Sequence, residues 1–283
     1  MRRLFLCALF VSTTAFAGLV EDGENAWGNG EEKKAAEYWQ KACDQSNFEG
    51  CGNLGYLYEK NWHIGRDLRK AQQLYEKACN GGYLLGCSNL AGLFYEDVQY
   101  SDDNVAKDKV KKAVVLWESA CNKGLGVSCY LLGDVYLTGA FGHMVRDVGK
   151  TKKLYIRACE KGYAKACYEL AALHHENTYS AERTIEYYRN PKDSIEKRML
   201  AEAQDALKEN QRQAVKFYAL TCKHGGAPAC DKLGKAYENG KFGLKKDLKK
   251  AKYYYDQCYE VVYKKGKMYD DFGGSCEGSE HLK

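Results

Sequence analysis

Apolar and small positions return along this chain in blocks of roughly forty residues. In one block Ala71, Leu74, Tyr75 and Ala78 are spaced three, one and three apart, with polar residues between them. That spacing puts all four on one face of a helix. Cys79 closes this stripe; Cys87 opens a second, carried by Leu90, Ala91 and Phe94. The block occurs five times. Counted from its first cysteine, position −8 is Ala35, Ala71, Ala113, Thr151 or Ala214. Positions −5 and −4 are Tyr38-Trp39, Leu74-Tyr75, Leu116-Trp117, Leu154-Tyr155 and Phe217-Tyr218, and position −1 is Ala or Thr. Counted from the second cysteine, +3 is Leu54, Leu90, Leu132, Leu170 or Leu233; +4 is Gly or Ala; +7 is Tyr, Phe or His. The second stripe is also amphipathic, with a small residue that lets a partner approach.

The joints are legible too. Gly81, Gly124, Gly162 and Gly225 follow the first stripe, where a helix C-cap takes positive φ. Asp67, Asp147 and Asp247 stand four residues before the small residue of the next first helix, the place of an N-cap. Each block is therefore helix A, a turn and helix B, and stacked blocks predict an all-α solenoid. The repeats fall at about 31–66, 67–107, 108–146, 147–175, 210–246 and 247–277. A helical insertion is expected at about 176–209, opened by Asp193 and Glu196 in capping-box spacing. Its apolar stripe is Ile195, Met199, Leu200, Ala203, Ala206 and Leu207. No Gly or Pro interrupts 194–222, so this helix is expected to run on into helix A of the fifth repeat.

The cysteines acquire a mechanical role from this layout. The pairs Cys43/Cys51, Cys79/Cys87, Cys121/Cys129, Cys159/Cys167 and Cys222/Cys230 all read C-x7-C. A first cysteine ends helix A and its partner opens helix B, so a short turn brings them within disulfide reach. Each bridge would stabilise its hairpin by about 2–3 kcal/mol on the chain-entropy model. Zinc sites favour shorter C-x2-4-C spacing, and the chain has no C-x-x-C redox motif. The sixth repeat departs from the pattern. Cys258 takes the small-residue slot, and its partner would be Cys276, closing a C-terminal cap.

The first residues supply the compartment such bridges need. "MRRLFLCALFVSTTAFAG" has Arg2 and Arg3, an apolar run from Leu4 to Val11, then Ala15-Phe16-Ala17. This has the layout of a signal peptide, 1–17, cleaved between Ala17 and Gly18. Cleavage removes Cys7, so the mature domain, 18–283, keeps twelve of the thirteen cysteines, an even number. Losing two arginines lowers the formal charge from +5 to +3, far from the basic excess of a nucleic-acid binder. After the leader no apolar run is long enough to span a membrane. The expected location is secreted or periplasmic.

The unit A-x2-[LYF]-[YW]-x2-AC-x7-C-x2-L-[GA] resembles a Sel1-like repeat with an intra-repeat disulfide, over nearly all of residues 18–276. It is similar to the Helicobacter cysteine-rich protein family, a TPR-like group. The resemblance implies a right-handed superhelical solenoid of helix-turn-helix repeats, each stapled by a disulfide, with a concave face. It also implies a secreted protein seen by the host immune system. Some members of that family carry the label of β-lactamase or penicillin-binding protein.

Residues test that label. Serine β-lactamases use S-x-x-K, S-D-N and K-T-G to assemble nucleophile, proton relay and cationic anchor. This chain has one S-x-x-K, Ser194–Lys197, at a helix start; Lys150-Thr151 is followed by Lys152. Of the six histidines only His174-His175-Glu176 is dense, without H-E-x-x-H spacing, and His174 fills the +7 slot of a packing residue. Asp271-Phe272-Gly273 reads as a turn. No catalytic residue, metal site or cofactor is expected.

One surface pattern suggests binding. Positions −9 and −2 of helix A hold Lys34/Lys41, Lys70/Lys77, Lys112 and Lys150/Arg157. Stacked A helices would align them into a cationic ladder for acidic peptides or cell-wall fragments. The sequence thus favours an exported, non-catalytic scaffold for a protein or peptide ligand, with a host receptor or cell-wall fragment among the candidate partners. The alternative is a weak β-lactamase.

Overall fold

A computed structural model describes residues 11–60, 63–96, 98, 102–264 and 276. Among them the regular structure is entirely helical. The chain divides into two compact units, Met1–Asp147 and Val148–Lys283. The first holds α1 (Val11–Gly28), α2 (Glu32–Asp44), α3 (Phe48–Lys60), α4 (Leu68–Asn80), α5 (Leu84–Glu96), α6 (Asp103–Asn122) and α7 (Gly126–Thr138). The second holds α8 (Val148–Glu160), α9 (Ala164–Tyr187), α10 (Ser194–Lys223), α11 (Ala227–Asn239) and α12 (Leu248–Tyr259), followed by a π turn at Glu260–Lys264.

Within each unit every helix packs on its neighbour in the chain, and in the first unit the B helices α1, α3 and α5 also touch in succession. This is solenoid packing: antiparallel hairpins laid side by side. The periodic residues form the core. Ala35, Ala71, Ala113 and Ala214 at −8 are fully buried, and so are Tyr75 and Tyr218 at −4. Each large buried side chain contributes about 2 kcal/mol.

The small +4 residue has a definite partner. A Cβ on Gly55 would stand 2.8 Å from the ring of Tyr75, and one on Gly234 2.4 Å from the ring of Tyr255. Position +4 of one repeat therefore admits the −4 aromatic of the next.

All six cysteine pairs sit at disulfide distance. The five C-x7-C pairs have Cα atoms 4.5 Å (Cys43–Cys51), 4.5 Å (Cys79–Cys87), 4.7 Å (Cys121–Cys129), 4.7 Å (Cys159–Cys167) and 4.8 Å (Cys222–Cys230) apart. Cys258 and Cys276 are bridged with Cα atoms 5.9 Å apart. Thus one bridge clamps each of the five C-x7-C hairpins at its turn.

The turn chemistry differs from expectation at one glycine. Gly81 has right-handed backbone (φ −78°), and Gly82 takes the left-handed step (φ +92°). Gly124, Gly162 and Gly225 take that step themselves, and Ser46 carries it in the first repeat. The left-handed residue follows the cap rather than forming it, so it is the third residue after the A-helix cysteine at which Cβ sterics favour glycine.

Asp67 and Asp247 cap as expected, accepting from the backbone N–H of Lys70 and Lys250. Asp193 accepts from Ile195 and Glu196, and Glu196 reaches back to the N–H of Lys192. The insertion is built from lengthened repeat helices. Helix α9 prolongs helix B of the fourth repeat to Tyr187, and α10 runs unbroken from Ser194 through helix A of the fifth.

Residues 18–28, outside any predicted repeat, behave as a helix B. Trp39 at −4 donates its indole N–H to the carbonyl of Val20 (3.2 Å), as Trp117 does to Ser88 (3.1 Å). Gly23 lies under Trp39 as Gly55 lies under Tyr75. Residues 18–28 therefore supply half a repeat to the solenoid.

Candidate binding site

Within each unit the joints between repeats are built around the −4 aromatic of helix A and residue +8 of the preceding helix B. Tyr75 donates its hydroxyl hydrogen bond to Glu59 (2.7 Å), and Tyr255 donates to Glu238 (2.9 Å). Burial and the neighbouring carboxylate both push each of these phenols well above the usual tyrosine range. Where +8 is aromatic, −4 is tryptophan: Trp117 meets Tyr95 edge-on at 5.5 Å, and Trp39 meets Trp27 at 6.3 Å. At the fifth repeat the +8 residue is His175, whose Nδ1 lies 3.2 Å from the Tyr218 hydroxyl.

The loop that follows helix B is held by the same joint. The N–H groups of Asp67, Asp147 and Asp247 donate to the +7 carbonyls of Tyr58, Tyr136 and Tyr237. Arg66 and Arg146 donate Nε–H to the +8 carbonyls of Glu59 and Leu137, at 2.9 and 2.8 Å. Two of these loops read G-x-F-G, 139–142 and 240–243, and Phe141 and Phe242 both sit in left-handed backbone (φ +57° and +54°). That conformation is costly for a bulky residue. It aims each ring at the preceding joint: Phe141 lies 5.7 Å from Tyr95, and Phe242 lies 4.6 Å from His175 and 6.1 Å from Tyr218.

The second of these clusters is larger and charged. Tyr179 stacks on His175 at 5.3 Å, and Tyr168 meets Tyr218 edge-on at 5.9 Å. Half-buried Lys232 holds its ammonium 5.1 Å above the Tyr218 ring and 5.9 Å above Tyr168. Burial lowers the Lys232 pKa below the usual lysine range. Burial, then the charges of Lys232 and Lys241, holds His175 below its ordinary value. Nearby, His174 stacks on Phe217 and approaches Asn210 (2.9 Å), a packing role.

Beside this cluster the prolonged α9 and α10 frame an open groove of about 930 Å³, lined by Tyr179, Arg183, Tyr187, Tyr188 and Met199 among others. Tyr187 is 82% exposed. The sequence reading missed both features. Comparing the +8 residues across repeats, and the two G-x-F-G loops, is the signal that would have found the first.

The predicted lysines are placed individually. Lys70 donates to the Tyr58 hydroxyl (2.7 Å) and sits over that ring at 4.1 Å; Lys112 lies over Phe94 at 5.8 Å. In these repeats the −9 lysine thus packs on the +7 aromatic of the preceding helix B. Lys77 donates to the carbonyl of Cys43 (2.9 Å), tying successive A helices, and Lys34 pairs with Glu31 at 3.0 Å. Lys41 lies 5.9 Å from the Tyr38 ring. Lys150 and Arg157 are exposed on α8, in the other unit from Lys34, Lys41, Lys70, Lys77 and Lys112.

Ser194 and Lys197 are both exposed at the start of α10. Among the described residues no group of three or more His, Cys, Asp or Glu is arranged to hold a metal. Among them, too, no helix is long and apolar enough to cross a membrane. Residues 1–10 of the predicted leader, Asp271–Gly273 and His281 lie outside the described residues.

A search of curated proteins finds no match to this chain. Among solved structures, a Sel1 repeat protein from Oxalobacter formigenes is similar, with TM-score 0.57 and 19% identity over 87% of this chain and 88% of that one. An immunity protein from Pseudomonas aeruginosa is similar with TM-score 0.52 and 19% identity, over 91% of this chain and 88% of its own. At such identities the likeness shows the fold. The Sel1 repeat family model matches residues 29–47, 49–83, 85–125, 126–163, 199–226 and 227–257, leaving out most of the prolonged hairpin. With well over half of its residues matched and the helix pairs in place, the chain belongs to the Sel1 repeat family.

Proposed function

We propose that this chain is an exported Sel1 repeat scaffold of the cysteine-rich kind, binding a protein or peptide partner outside the cytoplasm. The observation that carries this reading is one cysteine pair at bonding distance in every repeat. Such a set persists only where thiols are oxidised. The signal-peptide layout supports export. Val20, Gly23, Ala26 and Trp27, which take part in the packing of α1, lie after Ala17. Cleavage there would leave the half repeat intact.

Binding is supported by the architecture and by the prolonged hairpin. Solenoids of this type commonly serve protein–protein interaction. Tyr187 exposes a large apolar ring beside the α9–α10 groove, at the segment the family model leaves unmatched. Amphipathic aromatics of this kind are enriched at interfaces.

Affinity capture with oxidised protein, from periplasm and culture medium in parallel, tests the reading. A defined partner should be retained by the wild type and lost with Tyr187→Ser and Met199→Ser. Peptide mapping should find the six bridges and an N-terminus at Gly18. Free thiols in the exported protein, or a cytoplasmic location with residues 1–17 retained, would overturn it.

A further inference from the structure

We infer that Lys232, with Tyr168, Tyr218, His175 and Tyr179 around it, forms a binding site for a carboxylate group on the partner. This rests on the scaffold reading and deepens it by naming the chemistry recognised.

The argument starts from an uncompensated cation. Among the described residues Lys232 contacts two aromatic rings and has no carboxylate within ion-pair range. Two other lysines here are paired, Lys60 with Glu59 and with Glu96 (3.6 Å), and Lys235, on the same helix as Lys232, with Asp231 (2.8 Å); half-buried Lys70 has no such carboxylate but donates to the Tyr58 hydroxyl (2.7 Å). Taking an ammonium partly out of water without a counter-ion is unfavourable, and a bound carboxylate removes that penalty.

The surroundings fit an anion from outside. Lys241, exposed on the G-x-F-G loop, adds a second positive charge whose field reaches His175. The Tyr218 hydroxyl and His175 share one hydrogen bond and leave one polar hydrogen to offer, on the hydroxyl or on Nε2 according to the imidazole tautomer. The rings of Tyr168, Tyr179 and Phe242 wall the site and lower its effective dielectric, which strengthens a charge-assisted hydrogen bond. The joint in the first unit has Leu131 where this one has Lys232, at +2 of helix B, so the cation is not required to close a joint of this design.

The carboxylate could come from an acidic side chain or from a chain terminus. Glycine–serine hexapeptides ending in glutamate or glutamine, each with a free or an amidated C-terminus, separate the two sources. They are titrated at millimolar concentration into the oxidised protein, and the Lys232 and His175 side chains are followed by NMR. Peptides bearing a carboxylate should shift both resonances and raise the Lys232 pKa, and glutamine amide should do neither. Lys232→Met should weaken binding about tenfold or more, while Lys232→Arg retains part of it. Equal response to the carboxylate-free peptide, no response to any, or unchanged affinity in Lys232→Met overturns the inference. If the captured partner is retained by Lys232→Met, this inference fails and the scaffold reading stands. Loss of capture by the wild type itself would remove that reading instead.

Discussion

The joint around Trp117 and the joint around Tyr218 share one design. Each packs a −4 aromatic against the +8 residue of the preceding helix B, and each is roofed by a phenylalanine in left-handed backbone from a G-x-F-G loop. They differ in contents. The first holds Tyr95 and has Leu131 at +2; the second holds His175 and Lys232 at those positions. Geometry alone is satisfied by the first, which needs no titratable group other than a tyrosine. The chemistry of the second is therefore additional to what stability demands.

If both aromatics anchor their joints, truncating either should produce the largest effect. Trp117→Ala and Tyr218→Ala should each cost about 3–5 kcal/mol, read from urea unfolding of the oxidised protein. A small loss at Tyr218 alone would mean that the charged joint carries less of the packing than its counterpart. Next come the bridges beside them. Replacing Cys121 and Cys129 by serine, or Cys222 and Cys230, should cost about 2.5 kcal/mol in either repeat, because the closed loops are equal in length. Unequal losses would show that the two hairpins differ in their unfolded states.

A smaller effect separates the joints by pH. His175 has its folded pKa lowered by burial and by Lys232 and Lys241. Below the ordinary histidine value the unfolded chain binds more protons than the folded one, so stability should fall as pH drops through 6.5 towards the folded pKa, and then level off. His224, also lowered, by burial and by Lys223, contributes the same sign. His175→Tyr, which copies the first joint, should remove part of this slope in acid-titrated melts and leave the part due to His224. An unchanged slope would exclude His175 as a source. Exchanging +2 residues should do least: Lys232→Leu should change stability by about 0.5 kcal/mol, while relaxing the His175 pKa upward in an NMR titration. A large destabilisation would make Lys232 a structural residue.

Much of this was legible in the chain. The −8, −5, −4, −1, +3 and +4 positions name core residues, and Ala71, Tyr75 and Leu90 are buried as their spacing requires. The prolonged α10 followed from the absence of Gly and Pro between 194 and 222. The lysines illustrate the opposite case. Lys70 and Lys77 look alike in sequence, as exposed cations seven apart on one helix. The fold sets one against the Tyr58 ring and the other on the Cys43 carbonyl, both in the preceding repeat.

The amino-acid order by itself determined the helix pairs, their turns, their buried faces and which cysteines can meet, because these depend on helical period and on reach along a short loop. Only the tertiary structure decided what each repeat offers its neighbour: Tyr75 to Glu59, Trp39 to Val20, Phe242 to His175. It also made half a repeat of residues 18–28 and, among the described residues, left Lys232 without a carboxylate. Those outcomes depend on the register between stacked hairpins, which joins residues far apart in the chain and leaves no local periodicity to read.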